Sequence, residues 1–412
     1  MPLENVKTLI VGGGQAGLAM SEHLGNLDQP HLILERDRIA ERWRTARWDS
    51  LVANGPAWHD RFPTKEFTCC GPDDFPTKDG VVAYFEEFAE QIKAPIRCGV
   101  DVKKAGLSRR ENGFLVETSS GNFEAQNLVV ATGPFQTPII PPVIPISANI
   151  TQIHSNAYFN PQQIEDGAVL VVGAGSSGGQ IAAELLQAGK TVYLSVGPHD
   201  RPPRRYRGKD FVWWLGVLGK WEMTTPEKGR EHVTISVSGA DGGHTVDFRR
   251  LAAKGMNLVG MTRSYSDGVL TFEPDLADNI RNGDENYLSV LDEADAYIER
   301  QGLDLPPEPE ARQIDPAPDC VINPTLALNL EAAGIRTVIW ATGYRQDFDW
   351  LDVDVFDNVG KPKHHRGVSQ QPGLYFLGLP WLSMRGSSFI WGVWKDAQYL
   401  ATHIANQRST DL

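Results

Sequence analysis

Three glycines, Gly12, Gly14 and Gly17, stand directly behind an apolar run, Val6–Val11, and in front of a helical run. In a strand-to-helix turn each has its own use. The first allows the tight turn, the second lets a pyrophosphate approach the backbone, and the third lets the helix pack closely on the strand. The helix N-terminus adds free N–H groups and a positive dipole end, so an anion is expected against Gly14, Gln15, Ala16 and Gly17. A second apolar run, His31–Leu34, ends in Glu35, followed by Arg36. A carboxylate about 20 residues beyond the glycines accepts ribose hydroxyls. The stretch predicts a dinucleotide site.

The pattern recurs. Ala168–Val172 leads into Gly173, Gly175 and Gly178, with Ser176 and Ser177 opening the helix, and a second strand follows over Thr191–Ser195. This copy ends in Ser195, with no acid, and is followed by Arg201, Arg204, Arg205 and Arg207. A 2′-phosphate is repelled by a carboxylate and attracted by a hydroxyl and guanidinium groups. The first fold is therefore expected to take FAD and the second NADPH, with Ser195, Arg204 and Arg205 at the phosphate. Each fold closes on the same tripeptide, Ala131-Thr132-Gly133 and Ala341-Thr342-Gly343, after an apolar strand. Such a turn lets the backbone pass close to a cofactor. Val102, ending the β-like run Ile96–Val102, and Gly378, ending Gly373–Gly378, are placed at the cofactor too.

These motifs predict an α/β chain of two Rossmann-like dinucleotide-binding domains, with parallel sheets and helices on both faces. The FAD-binding domain is expected over 1–145 and 340–412, and an NADPH-binding domain over 146–339 is inserted in it. The proline-rich Pro138–Pro145 marks the crossing, and Gly113 closes a turn signal, Glu111-Asn112-Gly113. A helix is expected after Phe75-Pro76-Thr77-Lys78, with Val81, Tyr84, Phe85, Phe88 and Ile92 inward. A last helix carrying Ile390, Val393, Trp394, Ala397, Leu400, Ala401 and Ile404 should return to the first domain. The segment from Glu41 to Pro56 is too irregular for a plain helix, and its Arg and Trp residues suit wrapping a flat ring. Between 206 and 330 the pattern is weakest. An amphipathic helix over Asp284–Gln301 and a packed cluster of Trp213, Trp214 and Trp221 are the readable parts.

With 412 residues, 41% hydrophobic and 22% charged, the chain reads as globular. A net charge of −13 argues against nucleic acid or an anionic membrane as partner. No signal peptide or membrane span is expected, and the four cysteines form no C-x-x-C, so a reducing cytoplasm is expected and no metal site. A homodimer would be ordinary.

The two glycine motifs, the two Ala-Thr-Gly turns, Trp43-Arg44, Asn54 and His154-Ser155-x-x-Tyr158 together resemble the flavin-containing monooxygenase family, in its single-component, NADPH-dependent branch. The resemblance spans nearly the whole chain and is weakest between about 220 and 320. Phe75-Pro76-Thr77-Lys78 and Gly373–Gly378 are similar to bacterial relatives of the plant auxin-forming (YUCCA) branch. The family's linker signature survives only in part: Ala148 and Ile150 replace its Phe and Gly, and Tyr158 stands where Baeyer–Villiger enzymes have Trp.

The resemblance implies that NADPH reduces the flavin, that O2 then forms a C4a-hydroperoxide, and that one oxygen atom passes to a small apolar or aromatic substrate. That substrate would be an amine, a sulfide or a carbonyl compound. Trp43 and Arg44 are assigned to the cofactor, Asn54 to the pocket where NADP⁺ and the oxygenated flavin meet, and His154 to the hinge. Asn54 is equally a turn-forming residue before Gly55. Two rivals share the cofactor motifs: an NADPH oxidase or flavin reductase, and a non-catalytic flavoprotein that senses NADPH. A disulfide reductase would need a better-spaced pair than the adjacent Cys69 and Cys70.

Overall fold

The computed structural model describes residues 3–108, 113–225 and 235–407; the Glu111-Asn112 turn signal lies outside them. Strand β1 (Leu3–Val11) is exposed where it begins and buried over its last four residues, at the end that feeds the glycine turn. Helix α1 (Gln15–Asn26) follows, then β2 (His31–Leu34), which lies parallel to β1 with Thr8 beside His31. On its other side β1 pairs in parallel with β3 (Gly121–Val130). A continuously apolar strand suits this position, covered on both faces. The sheet is mixed rather than wholly parallel, because Val102–Leu107 and Phe114–Thr118 join it antiparallel ahead of β3.

The expected strand over 96–102 is two pieces. Ile96–Arg97 lies parallel to β2, and a separate strand starts at Val102. Between them Gly99 takes φ +74°, a left-handed conformation that turns the chain and suits glycine. The segment after Glu35 holds a short helix, Glu41–Thr45, where irregular chain was expected.

The second sheet contains β4 (Ala168–Val172), β5 (Val192–Ser195) and β6 (Ile335–Trp340), with α2 (Ser176–Gln187) between β4 and β5. Its order is Asn257–Val259, β5, β4, β6, Thr151–His154, and every pair is parallel. The first sheet draws on residues 3–130 and 351–376 and the second on 151–340, so the chain leaves one sheet, builds the other and comes back. Strand β7 (Leu374–Phe376) re-enters beside β3, and α3 (Ile390–Asn406) packs on α1. There the Trp394 indole donates to Glu22 at 2.6 Å and its ring meets His23 edge-on.

In the segment hardest to read, the acidic helix begins at Leu276, eight residues before the expected Asp284, and buries Leu291 and Ile298. Trp214 and Trp221 are core residues, with Trp213 half-buried beside them.

Five histidines, His23, His31, His154, His199 and His364, have their protonation pushed down by burial. Unfolded, each would take up a proton near pH ~6.5. Their contribution to stability is complete above that pH and is lost as pH falls through it, by at most about 1.4 kcal/mol each one unit below. The buried Asp396 carboxyl, pushed up by burial, acts in the opposite sense and is outnumbered. The urea midpoint of unfolding is therefore expected to drop between pH 7.5 and 5.5, and an unchanged midpoint would contradict this.

Candidate active site at the junction of two dinucleotide folds

The two glycine turns are near copies of each other. Gly12 (φ +117°) and Gly173 (φ +118°) each bring the turn against an Ala-Thr-Gly strand end, where a Cβ would sit 2.5 Å from Ala131 O and from Ala341 O respectively. A Cβ on Gly17 would overlap Gly12 O, and one on Gly178 would overlap Gly173 O. Gly14 differs, since a Cβ there meets no protein atom within 4 Å. Packing does not require glycine at 14, whereas the approach of a pyrophosphate does.

Neither α1, capped by Gly14, nor α2, capped by Gly175, has a side-chain cap. Other helices, Leu276–Gln301 and α3 among them, also lack a side-chain cap, but these two stand directly behind a G-x-G-x-x-G turn. Two uncapped helix ends behind glycine turns fit two anionic ligands. On this observation the residues fit a dinucleotide pyrophosphate at each turn, as FAD and NADPH both carry.

Around the first turn, the Glu35 carboxylate accepts from Gly13 N at 2.6 Å and Asp37 N at 2.9 Å, which places it at the turn. Gln15 reaches across to Ser388 O at 2.8 Å, and Ala16 lies so close to Gly378 that a Cβ there would come within 2.9 Å of it. Thr132 and the carbonyl of Gly133 both receive the Gln136 amide. Arg36 is exposed and bonded to Asp37. Trp43 packs half-buried between a core cluster of the first fold and one of the second. Arg44 is bonded to Glu86 and to the carbonyl of Ile39. Val102 is half-buried; the closer neighbour of the turn is Val100, whose N–H donates to Glu35 O at 2.9 Å.

Around the second turn, Ser176 donates to Ile235 O at 2.8 Å, and Ser177 lies half-buried beside it. Thr342 donates to Ile139 O, and Gly343 O accepts from both Ile139 N and the His154 ring. Because a carbonyl only accepts, His154 carries its hydrogen on Nε2, and its Nδ1 accepts from Asn156 N. His154 thus ties the second Ala-Thr-Gly turn to the linker strand. Tyr158 is buried and donates to Glu184 of α2 at 2.6 Å.

Two expectations for the 2′-phosphate are corrected. Ser195 is 2% exposed and its hydroxyl donates inward to Gly260 O at 2.8 Å, tying together the ends of two parallel neighbouring strands. Arg204 is also 2% exposed, and Asp210 holds it in a bidentate pair at 2.6 to 2.9 Å. Arg201 and Arg207 are likewise paired with carboxylates, of Asp247, Asp284 and Asp295. Of the four, Arg205 is exposed and bonds only the carbonyls of Gly242 and Gly243 among the described residues, which leaves it as the candidate for the phosphate.

Arg204 instead belongs to Asn54. Its guanidinium lies over the rings of Phe75 (4.5 Å) and Phe211 (4.8 Å), and its Nη1 donates to Asn54 O at 2.6 Å. The Asn54 side chain accepts from Gln180 of α2 at 2.9 Å, and its Nδ2 has no acceptor among the described residues. The next residue, Gly55, donates to Asp60 at 2.9 Å, and Asp60 also holds His59 at 2.7 Å. His59 sits among the rings of Trp58, Trp221 and Trp391. Trp391, in the first turn of α3, has a buried indole N–H without a partner among the described residues. Gln180, His59 and Asp60 carry no mark in the sequence, because nothing local distinguishes them; Trp391 is legible there only as one of several tryptophans that suit an apolar or aromatic substrate.

Phe211 also lines a cavity of 220 Å³, with Leu215, Met223, Trp381, Lys220 and Arg385. Cys69 and Cys70 are free thiols 3.7 Å apart. Burial pushes the Cys70 thiol up to about 12, which suppresses the thiolate that a redox pair needs. Among the described residues there is no group of side chains suited to a metal ion, and no helix is long and apolar enough to cross a membrane.

A family model described as pyridine nucleotide-disulphide oxidoreductase matches residues 9–215. The chain is 33% identical to an uncharacterized CzcO-like oxidoreductase of Geobacillus kaustophilus, over 97% of this chain and 99% of that one. It is 26% identical to a probable indole-3-pyruvate monooxygenase, YUCCA4, of Arabidopsis thaliana, over 97% and 90%. Among solved structures it is similar to a flavin-containing monooxygenase from Stenotrophomonas maltophilia, with TM-score 0.67 and 19% identity over 98% and 99% of the two chains. Motifs, fold and relatives agree: the chain belongs to the pyridine nucleotide-disulphide oxidoreductase family, in its flavin-containing monooxygenase branch, and is an oxidoreductase that uses FAD and NADPH.

Proposed function

We propose that this enzyme inserts one oxygen atom of O2 into a small, apolar or aromatic molecule at the junction of its two folds. The carrying observation is the Asn54 amide, whose Nδ2 hydrogens have no acceptor among the described residues while its oxygen and its backbone carbonyl are both held. An amide in that state offers a hydrogen bond without an acidic proton, which suits a site where oxygen is activated and stray protons discharge it. Bound FAD, reduced by NADPH, would supply the electrons for O2 activation. The chain's part is to hold the two cofactors on uncapped helix ends, keep the Asn54 donor in place and wall the junction with Trp391, Phe211 and Trp221.

The neighbouring cavity supports an aromatic substrate through Phe211, Met223 and Trp381. Indole-3-pyruvate, named for the YUCCA relatives, carries an aromatic ring of that kind. The test is the peroxide released per NADPH consumed, with amines, sulfides and indole-3-pyruvate as the panel. At least one class should lower the peroxide share and give an oxygenated product; complete release under every substrate would favour the oxidase reading. Asn54→Ala is expected to raise the peroxide share about tenfold with the best substrate.

A further inference from the structure

Gln180 lies in α2, one turn behind the second glycine motif, yet it bonds the first fold. Its Nε2 donates to Val237 O at 2.7 Å and to Asn54 Oδ1 at 2.9 Å. A backbone carbonyl can only accept, so Val237 fixes the nitrogen of Gln180 at that point. An amide nitrogen cannot accept, so Asn54 must turn its oxygen to Gln180 and its NH2 group the other way. Val237 is itself fixed relative to Asn54: at Gly239 a Cβ would overlap Ala53 O and come within 2.7 Å of the Phe75 ring. The strand carrying Val237 therefore lies hard against the peptide that carries Asn54. Arg204 locks the same peptide from the side.

We propose that Gln180 is a positioning residue that sets the polarity of the Asn54 amide, making it a donor to the oxygen-activating pocket while α2, the helix behind the second glycine turn, is docked. Val237 O is the reference, Gln180 transmits it across the junction, and Asn54 presents the result. This rests on the reading of Asn54 given above. It joins α2 to the oxygen chemistry through one side chain, with no change in charge.

The test compares Gln180→Leu, Gln180→Glu, Asn54→Ala and the double variant Asn54→Ala/Gln180→Leu, each loaded with FAD. In Gln180→Glu the demand is reversed, since a carboxylate accepts and would draw the Asn54 NH2 toward itself. Both Gln180 variants are expected to raise the peroxide share at least about threefold, while flavin reduction by NADPH changes less than about twofold. In the double variant the peroxide share should equal that of Asn54→Ala alone. A second readout is independent of turnover: the melting shifts of Asn54→Ala and Gln180→Leu should fail to add in the double variant, as for groups in direct contact. If Gln180→Leu loses its FAD, Gln180→Met, of matched length, replaces it. The proposal is overturned if Asn54→Ala uncouples the enzyme but neither Gln180 variant does and the melting shifts add. If Asn54→Ala leaves coupling untouched, the reading of Asn54 falls and this proposal with it.

Discussion

Replacing Gly14 by valine is expected to give a folded, colourless protein. No described atom of the protein lies within 4 Å of a Cβ at this position, so the substitution meets no packing obstacle. The new side chain would stand where the uncapped end of α1 faces its ligand, between a pyrophosphate and the N–H groups that bind it. Loss of FAD affinity by at least about 100-fold is expected, since the backbone can no longer approach. The measurement is the ratio of flavin to protein absorbance, with far-UV circular dichroism at low temperature as the folding check; melting temperature alone misleads, because losing a bound ligand lowers it by mass action. Gly17→Val is the contrast. Its Cβ would overlap Gly12 O inside the turn, so that variant should lose fold and flavin together. A yellow Gly14→Val protein with full flavin content would remove FAD from the first turn.

Arg204→Ala should be among the most destabilising single substitutions in the chain. The arginine is buried between Phe75 and Phe211, bidentate to Asp210, and bonded to Asn54 O. Removing one partner of a buried pair leaves the other charge uncompensated, at a cost of about 3–5 kcal/mol. Asp210 would keep only its capping bond to Val212 N among the described residues. Arg205→Ala, on an exposed side chain, should cost at most about 0.5 kcal/mol and instead raise KM for NADPH more than for NADH. Urea midpoints separate the two variants, and the NADPH-to-NADH ratio of KM tests the second. A stable Arg204→Ala protein with a selective loss of NADPH would return Arg204 to the 2′-phosphate, as its sequence context suggests.

These two residues show what is legible. Glycine at 12, 17, 173 and 178 answers to contacts within its own turn or with a strand end, so its reason is written locally. The alternation of apolar strand, glycine turn and helix then gives two nucleotide folds, and the repeated Ala-Thr-Gly closes each. The arginine run is legible as charge but not as available charge. Its carboxylate partners are far along the chain, Asp247 and Asp284 for Arg201 and Asp295 for Arg207, and only Asp210 stands near Arg204. Ser195 misleads for a related reason: a hydroxyl at a strand end says nothing about which neighbouring carbonyl it will find. Gln180 is invisible because its two acceptors are 57 and 126 residues away. The strand expected over 96–102 breaks at Gly99, a glycine whose turning role shows only once φ is known.

The most direct test of the account is stopped-flow spectroscopy of the FAD-loaded protein, reduced with NADPH and then mixed with oxygen in the absence of substrate. The expected result is a species absorbing between the oxidised and reduced flavin bands, lasting for seconds or longer in the native protein and shortened in Asn54→Ala. Direct return to oxidised flavin with stoichiometric peroxide, in the native protein and the variant alike, would contradict it and leave an NADPH oxidase.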